Sequence, residues 1–334
     1  MADRRNWLNL ATEPALDPDL PICDSHHHLW SDRDIHAKRY LADDLFEDTS
    51  DGHNIVSSIF VECQESYLDT GPAILRPLGE SMFAAAQAAT SRRLGGSEIR
   101  AVIAFADLRL GDAVEEVLTG HEAASGGLFR GIRQSALWDA SPGNETLPRG
   151  VAPGLLGLAE FREGVAVLRR MNLVFDAMVY HSQLAELIDL ASAEPGLTIA
   201  LNHLGFPLGV GAYAGRRDEV RVAWRSLMAE LATLPNTVVK LGGIGMTYLG
   251  LGWERGSRPP SSEELAATWA PDINWCIEQF GVDRCMFESN TPVDKDSAPY
   301  GVLWNTFKRV TTGASPAEKA ALFHDTATRV YSID

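Results

Sequence analysis

Eight short apolar, β-rich runs recur along the whole chain, and this repetition limits the possible folds more than any other feature. Most of the runs are continuously apolar rather than alternating, as expected of parallel strands that are buried on both faces. They cover residues 21–27, 54–63, 99–108, 128–134, 172–179, 197–205, 237–243 and 284–290.

Helix-like segments separate these runs, for example at residues 73–94, 161–171, 182–194 and 218–234. Successive runs are centred roughly 25–47 residues apart, which leaves room for a right-handed crossover each time. Eight such repeats predict an α/β fold, a closed (β/α)8 TIM barrel, rather than an open sheet. No GxGxxG motif follows the first run, so a nucleotide-binding doubly wound sheet has little support.

The whole chain, residues 1–334, is predicted to form one domain, because no linker or low-complexity tract divides it. Barrels of this class exceed the usual domain length as single units. No stretch approaches the length of a membrane span, and the first residues lack a secretory h-region, so a cytoplasmic protein is expected. The sequence leaves open whether the chain forms a homo-oligomer.

The net charge of −16 argues against nucleic acid and anionic membranes as partners. It does not exclude an anionic small-molecule substrate, because a pocket can be locally basic. The cysteines Cys23, Cys63, Cys276 and Cys285 form no CxxC pair. Free thiols explain them better than disulfides or a zinc site.

The strongest local signal is the segment Asp24-Ser25-His26-His27-His28 at the end of the first predicted strand. Side chains two residues apart on a strand face the same side, so His26 and His28 are expected to point together towards the barrel mouth. Two imidazoles placed there can hold a divalent metal or donate hydrogen bonds to a substrate carbonyl. His203, which ends the sixth run, is predicted to be a third ligand or an electrophilic imidazole.

Two further strand ends carry charged candidates. Glu62 closes the second run, where a carboxylate is costly unless a metal or a side chain across the barrel partners it. Arg133 is nearer the strand end than Arg130 and is the better candidate to bind a substrate carboxylate through its bidentate fork. Arg133, Lys240 and Lys295 could each instead form a salt bridge at the rim. The predicted substrate-binding residues are Arg133, His181, Lys240, Asn290 and Lys295.

These segments resemble the amidohydrolase-related family that contains the 2-pyrone-4,6-dicarboxylate lactonases and the sugar-lactone hydrolases. The matching pieces fall in order between residues 22 and 294: DSHHHLW, the GIR of strand four, the QL that opens the next helix, NHLGFP, and MFESNTPVD. The resemblance implies a TIM barrel whose site is lined by His26, His28 and His203, with Arg133 gripping a substrate carboxylate. Family members hydrolyse lactones or esters, and some relatives decarboxylate aromatic acids. Some bind one zinc, whereas the pyrone lactonases require no metal.

One position departs from the family pattern. The family's strand-eight block reads Ser/Thr-Asp-Trp-Pro, in which the Asp is the general base, but Asn290 stands at that position here. An amide cannot take a proton from water at neutral pH. Asp294, in the same segment, and Glu62 are therefore predicted as replacement bases.

The predicted function is hydrolysis of a lactone or related ester that bears a carboxylate. His26, His28 and His203 polarise the scissile carbonyl, directly or through one divalent metal, zinc being the best match. Asp294 or Glu62 activates water. The alternatives are non-oxidative decarboxylation of an aromatic acid on the same barrel, or a catalytically silent binding barrel.

Overall fold

Eight parallel strands follow one another around a barrel in the order in which they occur in the chain. The computed structural model describes residues 2–32, 39–141, 143–145, 147–150 and 152–333. The strands lie within or beside the eight predicted runs, so this prediction is confirmed. They are β1 (Ile22–His27), β2 (Ile55–Val61), β3 (Glu98–Ala104), β4 (Phe129–Arg133), β5 (Val174–Ala177), β6 (Ile199–Leu201), β7 (Thr237–Leu241) and β8 (Cys285–Phe287).

The barrel closes where β1 meets the segment that follows β8. His27 and Thr291 form a parallel bridge, and the His28 amide donates to the Thr291 carbonyl at 2.8 Å. One step away, the Asn290 amide donates to the His26 carbonyl at 2.9 Å. These bonds bring the histidine-rich end of β1 against the end of β8 and confirm the predicted (β/α)8 topology.

Helices occupy the crossovers, as the apolar spacing predicts. The third helix begins at Leu78 rather than at residue 73, because residues 73–75 form a separate 3-10 turn. The helices are α1 (Ala2–Leu8), α2 (Ala42–Thr49), α3 (Leu78–Leu94), α4 (Val114–Ala124), α5 (Ala159–Arg170), α6 (Leu184–Ala193), α7 (Arg217–Ala232), α8 (Ser262–Phe280), α9 (Tyr300–Val310), α10 (Pro316–Ala320) and α11 (Thr326–Val330).

The interior of the barrel is apolar where the strands begin. Side chains such as Cys23, Val174 and Val238 pack there with Tyr331 and Ile333 from the C-terminal segment. The larger apolar core includes outward-facing strand residues and the inner faces of the helices. Polar inward-facing side chains are therefore concentrated towards the carboxyl ends of the strands, the end at which TIM-barrel enzymes carry their sites.

All four cysteines are free thiols, three of them buried and Cys63 partly buried, as predicted. No helix in the described part of the chain combines the length and hydropathy that a membrane crossing requires.

Candidate active site

His26 and His28 meet at the mouth of the barrel, with their Nε2 atoms 3.2 Å apart. His28 Nδ1 lies 2.8 Å from the Val61 carbonyl, which can only accept, so Nδ1 carries the hydrogen and Nε2 a lone pair. His26 Nε2 lies 3.2 Å from the donor-only Arg133 Nη1, so it also presents a lone pair. Burial, with nearby positive charge, lowers the pKa of both rings, which are therefore neutral acceptors.

Glu288 lies immediately after β8, between His26 and His203. Its Oε1 accepts hydrogen bonds from the backbone amide of His203 at 3.1 Å and from Nδ1 of the same residue at 2.7 Å. Its Oε2 lies 3.0 Å from His26 Nδ1, at an angle unsuitable for a hydrogen bond. The carboxylate is fully buried. Glu288 therefore has one oxygen occupied and one oxygen available among the histidines.

Glu288 was not among the sequence-predicted site residues, although it lies inside the strand-eight segment. The signal that could have found it is the one that identified Glu62: a carboxylate directly after an apolar strand. Among the described residues, one group of metal-ligating side chains has its ligand atoms all within 4.8 Å of one another, and it consists of His26, His203 and Glu288.

Two glycines after β7 make room for this carboxylate. A Cβ on Gly242 would lie 2.3 Å from Glu288 Cγ and 2.3 Å from the Glu288 carbonyl oxygen. Gly243 has a φ of +67°, and a Cβ there would lie 2.7 Å from His203 Cβ. The turn after β7 therefore has to lack side chains for Glu288 and His203 to reach the centre.

We expect Gly242→Ala to lower stability by about 1–3 kcal/mol, the usual cost of overpacking, and to displace Glu288. Part of the clash is with a backbone atom, which cannot rotate away. Chemical denaturation and turnover should both report the damage. Gly313→Ala is the matched control, because its added Cβ meets nothing within 4 Å. Equal effects of the two substitutions would show that the space at Gly242 is not needed.

Arg133 and Glu62 form a buried ion pair beside the histidines, each about 5 % exposed. Arg133 Nε donates to Glu62 Oε1 at 2.7 Å, Nη2 donates to the Glu62 carbonyl, and Nη1 faces His26. All three guanidinium nitrogens are thus engaged within the chain. Arg130 instead donates to backbone carbonyls at the opposite end of β4, including that of Ser332.

Lys240 lies inside the barrel, beneath the histidines, and is fully buried. Its Nζ donates to Asp176 Oδ2 at 2.6 Å and to the Ser25 carbonyl at 2.9 Å. Asp176 also accepts from Tyr331 Oη at 2.7 Å and from Asn202 Nδ2 at 3.1 Å. This network connects the site to the C-terminal residues that fill the other end of the barrel.

Asp294, predicted as a replacement base, lies behind Asn290. Its Oδ1 accepts from Asn290 Nδ2 at 2.8 Å and its Oδ2 from the Gly245 amide at 2.8 Å. Burial raises the pKa of this carboxyl well above its usual range. Through these contacts Asp294 holds the side chain of Asn290 in place. The backbone of Asn290 has a φ of +50°.

Lys295 and His181 lie further from the centre. Lys295 donates to both oxygens of Asp48, at 2.8 and 2.5 Å, beside a cavity of about 1070 Å3 whose lining contains none of the three histidines of the site. His181 Nδ1 accepts from the Leu208 amide at 3.3 Å, and its ring packs edge-on against Tyr213. The structure thus joins His26, His28, Glu62, Arg133 and His203 directly, and it gives Lys240, Asp294, Lys295 and His181 other partners.

Asp24, the first residue of the histidine segment, holds the end of β8 in place. Its carboxylate accepts from the Ser289 amide at 2.9 Å, from Ser289 Oγ at 2.6 Å and from Tyr300 Oη at 3.1 Å. Burial raises its pKa to about 6. Because Ser289 adjoins both Glu288 and Asn290, Asp24 fixes where these two side chains begin.

This chain is similar in sequence and in structure to known proteins. A sequence model of the amidohydrolase family matches residues 23–333. An uncharacterized protein, y4mH, of Sinorhizobium fredii is 31 % identical over 94 % of this chain and 99 % of its own. An L-fucono-1,5-lactonase of Burkholderia multivorans is 27 % identical over 93 % of this chain and 95 % of its own. A crystal structure of a Burkholderia multivorans amidohydrolase with bound zinc superposes with a TM-score of 0.73, at 26 % identity, over 94 % of this chain and 99 % of that one.

Proposed function

The chain belongs to the amidohydrolase family and is a hydrolase, and from that premise we propose that it opens the ring of a neutral lactone. The observation that carries this proposal is the placement of Glu288 between His26 and His203, with an available oxygen at the barrel mouth. Such an oxygen can take the proton of an attacking water. Similarity to the L-fucono-1,5-lactonase over nearly the full length of both chains supports a cyclic ester as the substrate.

The charges around the site favour a neutral substrate. Arg133, Lys240 and Lys295, the cations predicted to hold a substrate carboxylate, each pair with a carboxylate of this chain, at 2.7, 2.6 and 2.5 Å respectively. A substrate anion would have to displace Glu62 to engage Arg133, and it would meet the negative charge of Glu288 close by. Like charges brought together at a buried contact cost several kcal/mol.

We also propose that the histidines hold a divalent cation. His26 and His28 direct lone pairs at one another across 3.2 Å, and the Arg133 Nη1 donor faces the lone pair of His26 rather than that of His28. Imidazoles with a carboxylate among them form a donor set that suits zinc. The Burkholderia multivorans amidohydrolase to which this chain is similar was crystallised with bound zinc. His26, His28 and His203 would be the nitrogen ligands, with Glu288 either orienting the rings or joining them as a ligand. A cation held there supplies Lewis-acid polarisation of the lactone carbonyl.

The remaining steps are assigned to side chains of the chain itself. Glu288 Oε2 takes the proton from water as the water attacks the carbonyl carbon. It then returns this proton to the ring oxygen as the ring C–O bond breaks, which gives a hydroxy acid. Arg133 Nη1 donates to His26 Nε2 in the absence of a cation, so a cation bound to that nitrogen would replace this hydrogen bond while the hydrogen of the ring stays on Nδ1. Asp24 and Asn290 hold the β8 segment that positions Glu288.

A lactone panel tests the proposal. We expect purified protein to open neutral sugar lactones with a kcat/KM at least ~10²-fold above that for carboxylate-bearing lactones of the same ring size, the scale set by like-charge repulsion. Release of acid is followed with a pH indicator. Preference for the anionic lactones would contradict a neutral substrate, and release of CO2 from aromatic acids without lactone opening would contradict a lactonase.

A further inference from the structure

Glu80, in the first turn of α3, directs its carboxyl group at the segment that leaves β2. The residue is 1 % exposed, and its Oε1 accepts hydrogen bonds from the backbone amides of Cys63 at 2.8 Å and Glu65 at 2.9 Å. Both amides lie just beyond Glu62, the carboxylate that pairs with Arg133. Glu80 therefore ties the end of β2, at the rim of the barrel, to the helix that follows it.

The peptide group between Glu62 and Cys63 connects Glu80 directly to Arg133. Its N–H donates to Glu80 Oε1, and its carbonyl oxygen accepts from Arg133 Nη2. Because a peptide group is planar, an acceptor that fixes the direction of the N–H also fixes the direction of the carbonyl. Nη1 of the same guanidinium lies 3.2 Å from His26 Nε2, so this carbonyl helps to set which nitrogen of Arg133 faces the histidines.

The segment after β2 has a backbone conformation that its residues do not favour. Gln64 has a φ of +64° and Ser66 a φ of +53°, in the left-handed region that residues other than glycine rarely adopt. A Cβ on Gly79 would lie 2.2 Å from the Ser66 carbonyl oxygen, so the start of α3 packs directly against this turn. The two hydrogen bonds to Glu80 help to offset the cost of the strained conformation.

Glu80 accepts these bonds as a neutral acid. Its Oε2 is buried and has no hydrogen-bond partner among the described residues, which would be costly for a carboxylate. Burial and the charge of Glu62 raise the pKa of Glu80 to about 8, although Arg133 and the two amides act in the opposite direction. Glutamine has nearly the same shape as protonated glutamate and keeps the oxygen that accepts from both amides. Glu80→Gln should therefore preserve the contacts.

We propose that Glu80 is a positioning residue of the active site, which orients the Glu62 carbonyl and, through it, the guanidinium of Arg133 beside His26. The assignment of His26 to the active site rests on the proposed function. Glu62 Oε1 accepts from Arg133 Nε, so without the oriented carbonyl the guanidinium would lose the second of its two contacts with Glu62. A side chain that only stabilised the end of β2 would leave the guanidinium in place.

NMR spectra of the arginine side chains test the proposal without relying on turnover. In protein with 15N-labelled arginine, a guanidinium whose Nη2 is held gives separate, slowly exchanging Nη2 hydrogens, and the Arg133 signals are identified by their loss in Arg133→Lys. We expect such signals in the unaltered protein and in Glu80→Gln, and averaged signals in Glu80→Leu. Averaged Arg133 signals in the unaltered protein would overturn the proposal whether or not the Leu variant folds.

Gln183→Leu is the matched control for a loss of stability. Gln183 is also buried, and its Oε1 likewise accepts from two backbone amides at the rim, those of Trp138 and Tyr180. The substitution should lower Tm, as Glu80→Leu does, and leave the Nη2 signals of Arg133 unchanged. A lower Tm with unchanged Arg133 signals in Glu80→Leu would reduce Glu80 to a structural role.

Kinetics on the best neutral lactone give the second readout. Glu80→Leu should lower kcat by about 10–10²-fold at little-changed KM, the scale of a small displacement within an active site. Glu80→Gln should restore turnover to near that of the unaltered protein, and a Gln variant as impaired as the Leu variant would contradict the role of the shared oxygen. A protein that opens no lactone but gives the expected Arg133 signals would contradict the proposed function and still support the positioning of Arg133 by Glu80.

Discussion

Replacing Glu288 with Gln is expected to lower kcat by about 10²–10⁴-fold, the usual contribution of a general base, while the protein still folds. The amide keeps the size of the side chain and an oxygen for the His203 contacts, but it cannot take a proton from water. Initial rates on the best neutral lactone give kcat and KM separately. A fall in kcat at little-changed KM identifies a group that acts in the transition state.

Asp294→Asn and Glu62→Gln are the matched comparisons, because the sequence alone predicts these two carboxylates as the replacement base. Asp294 already accepts hydrogen bonds from Asn290 and Gly245, and Glu62 already pairs with Arg133. We therefore expect a smaller loss of kcat from Asp294→Asn than from Glu288→Gln. The reverse ranking would assign the proton transfer to Asp294 and reduce Glu288 to an orienting role.

Metal analysis of the same variant separates two roles of Glu288. If Glu288 acts as a base and orients the histidine rings without binding the cation, Glu288→Gln should retain most of its bound divalent cation while losing turnover. If Glu288 is a ligand, cation content and turnover should fall together. Each result decides between the two arrangements allowed by the cluster of His26, His203 and Glu288.

The fold could be predicted because its signals are local. Each strand of a parallel barrel is buried on both faces, so each leaves a continuous apolar run in the sequence. His26 and His28 could be assigned to one side from their spacing of two residues. Residues that end such runs lie at the same rim, which is why Glu62, Arg133 and His203 were predicted together and do contact one another or His26 in the structure.

The contacts between charged side chains across the barrel could not be predicted from such local patterns. Glu288 and His203 are 85 residues apart, and Arg133 and Glu62 are 71 apart, so no local pattern records either contact. Asn290 departs from the family pattern, but the residue that contacts the histidines is Glu288, two positions earlier. The glycines that admit Glu288 belong to a different strand end, and only the assembled barrel shows why they are needed.

Replacing Lys240 with Met should destabilise the protein by about 3–5 kcal/mol, the cost of leaving one member of a buried ion pair alone. Lys240 and Asp176 are both fully buried at a separation of 2.6 Å, and Met leaves Asp176 without its cation in the barrel interior. Lys295→Met is the matched control, because its pair with Asp48 is partly exposed and should contribute about 1 kcal/mol or less. Free energies of unfolding from urea titrations give the comparison.

The double variant Lys240→Met with Asp176→Asn shows whether the loss comes from the stranded charge. Asn keeps an oxygen for the Tyr331 hydroxyl but carries no charge, so the double variant should be more stable than Lys240→Met alone. The sequence assigns Lys240 to substrate binding, and that role makes the opposite prediction: KM should rise many-fold in Lys240→Met while the free energy of unfolding stays near that of the unaltered protein. Because the Lys240 ammonium also donates to the Ser25 carbonyl, next to His26, a purely structural role still leaves the histidine strand dependent on this buried pair.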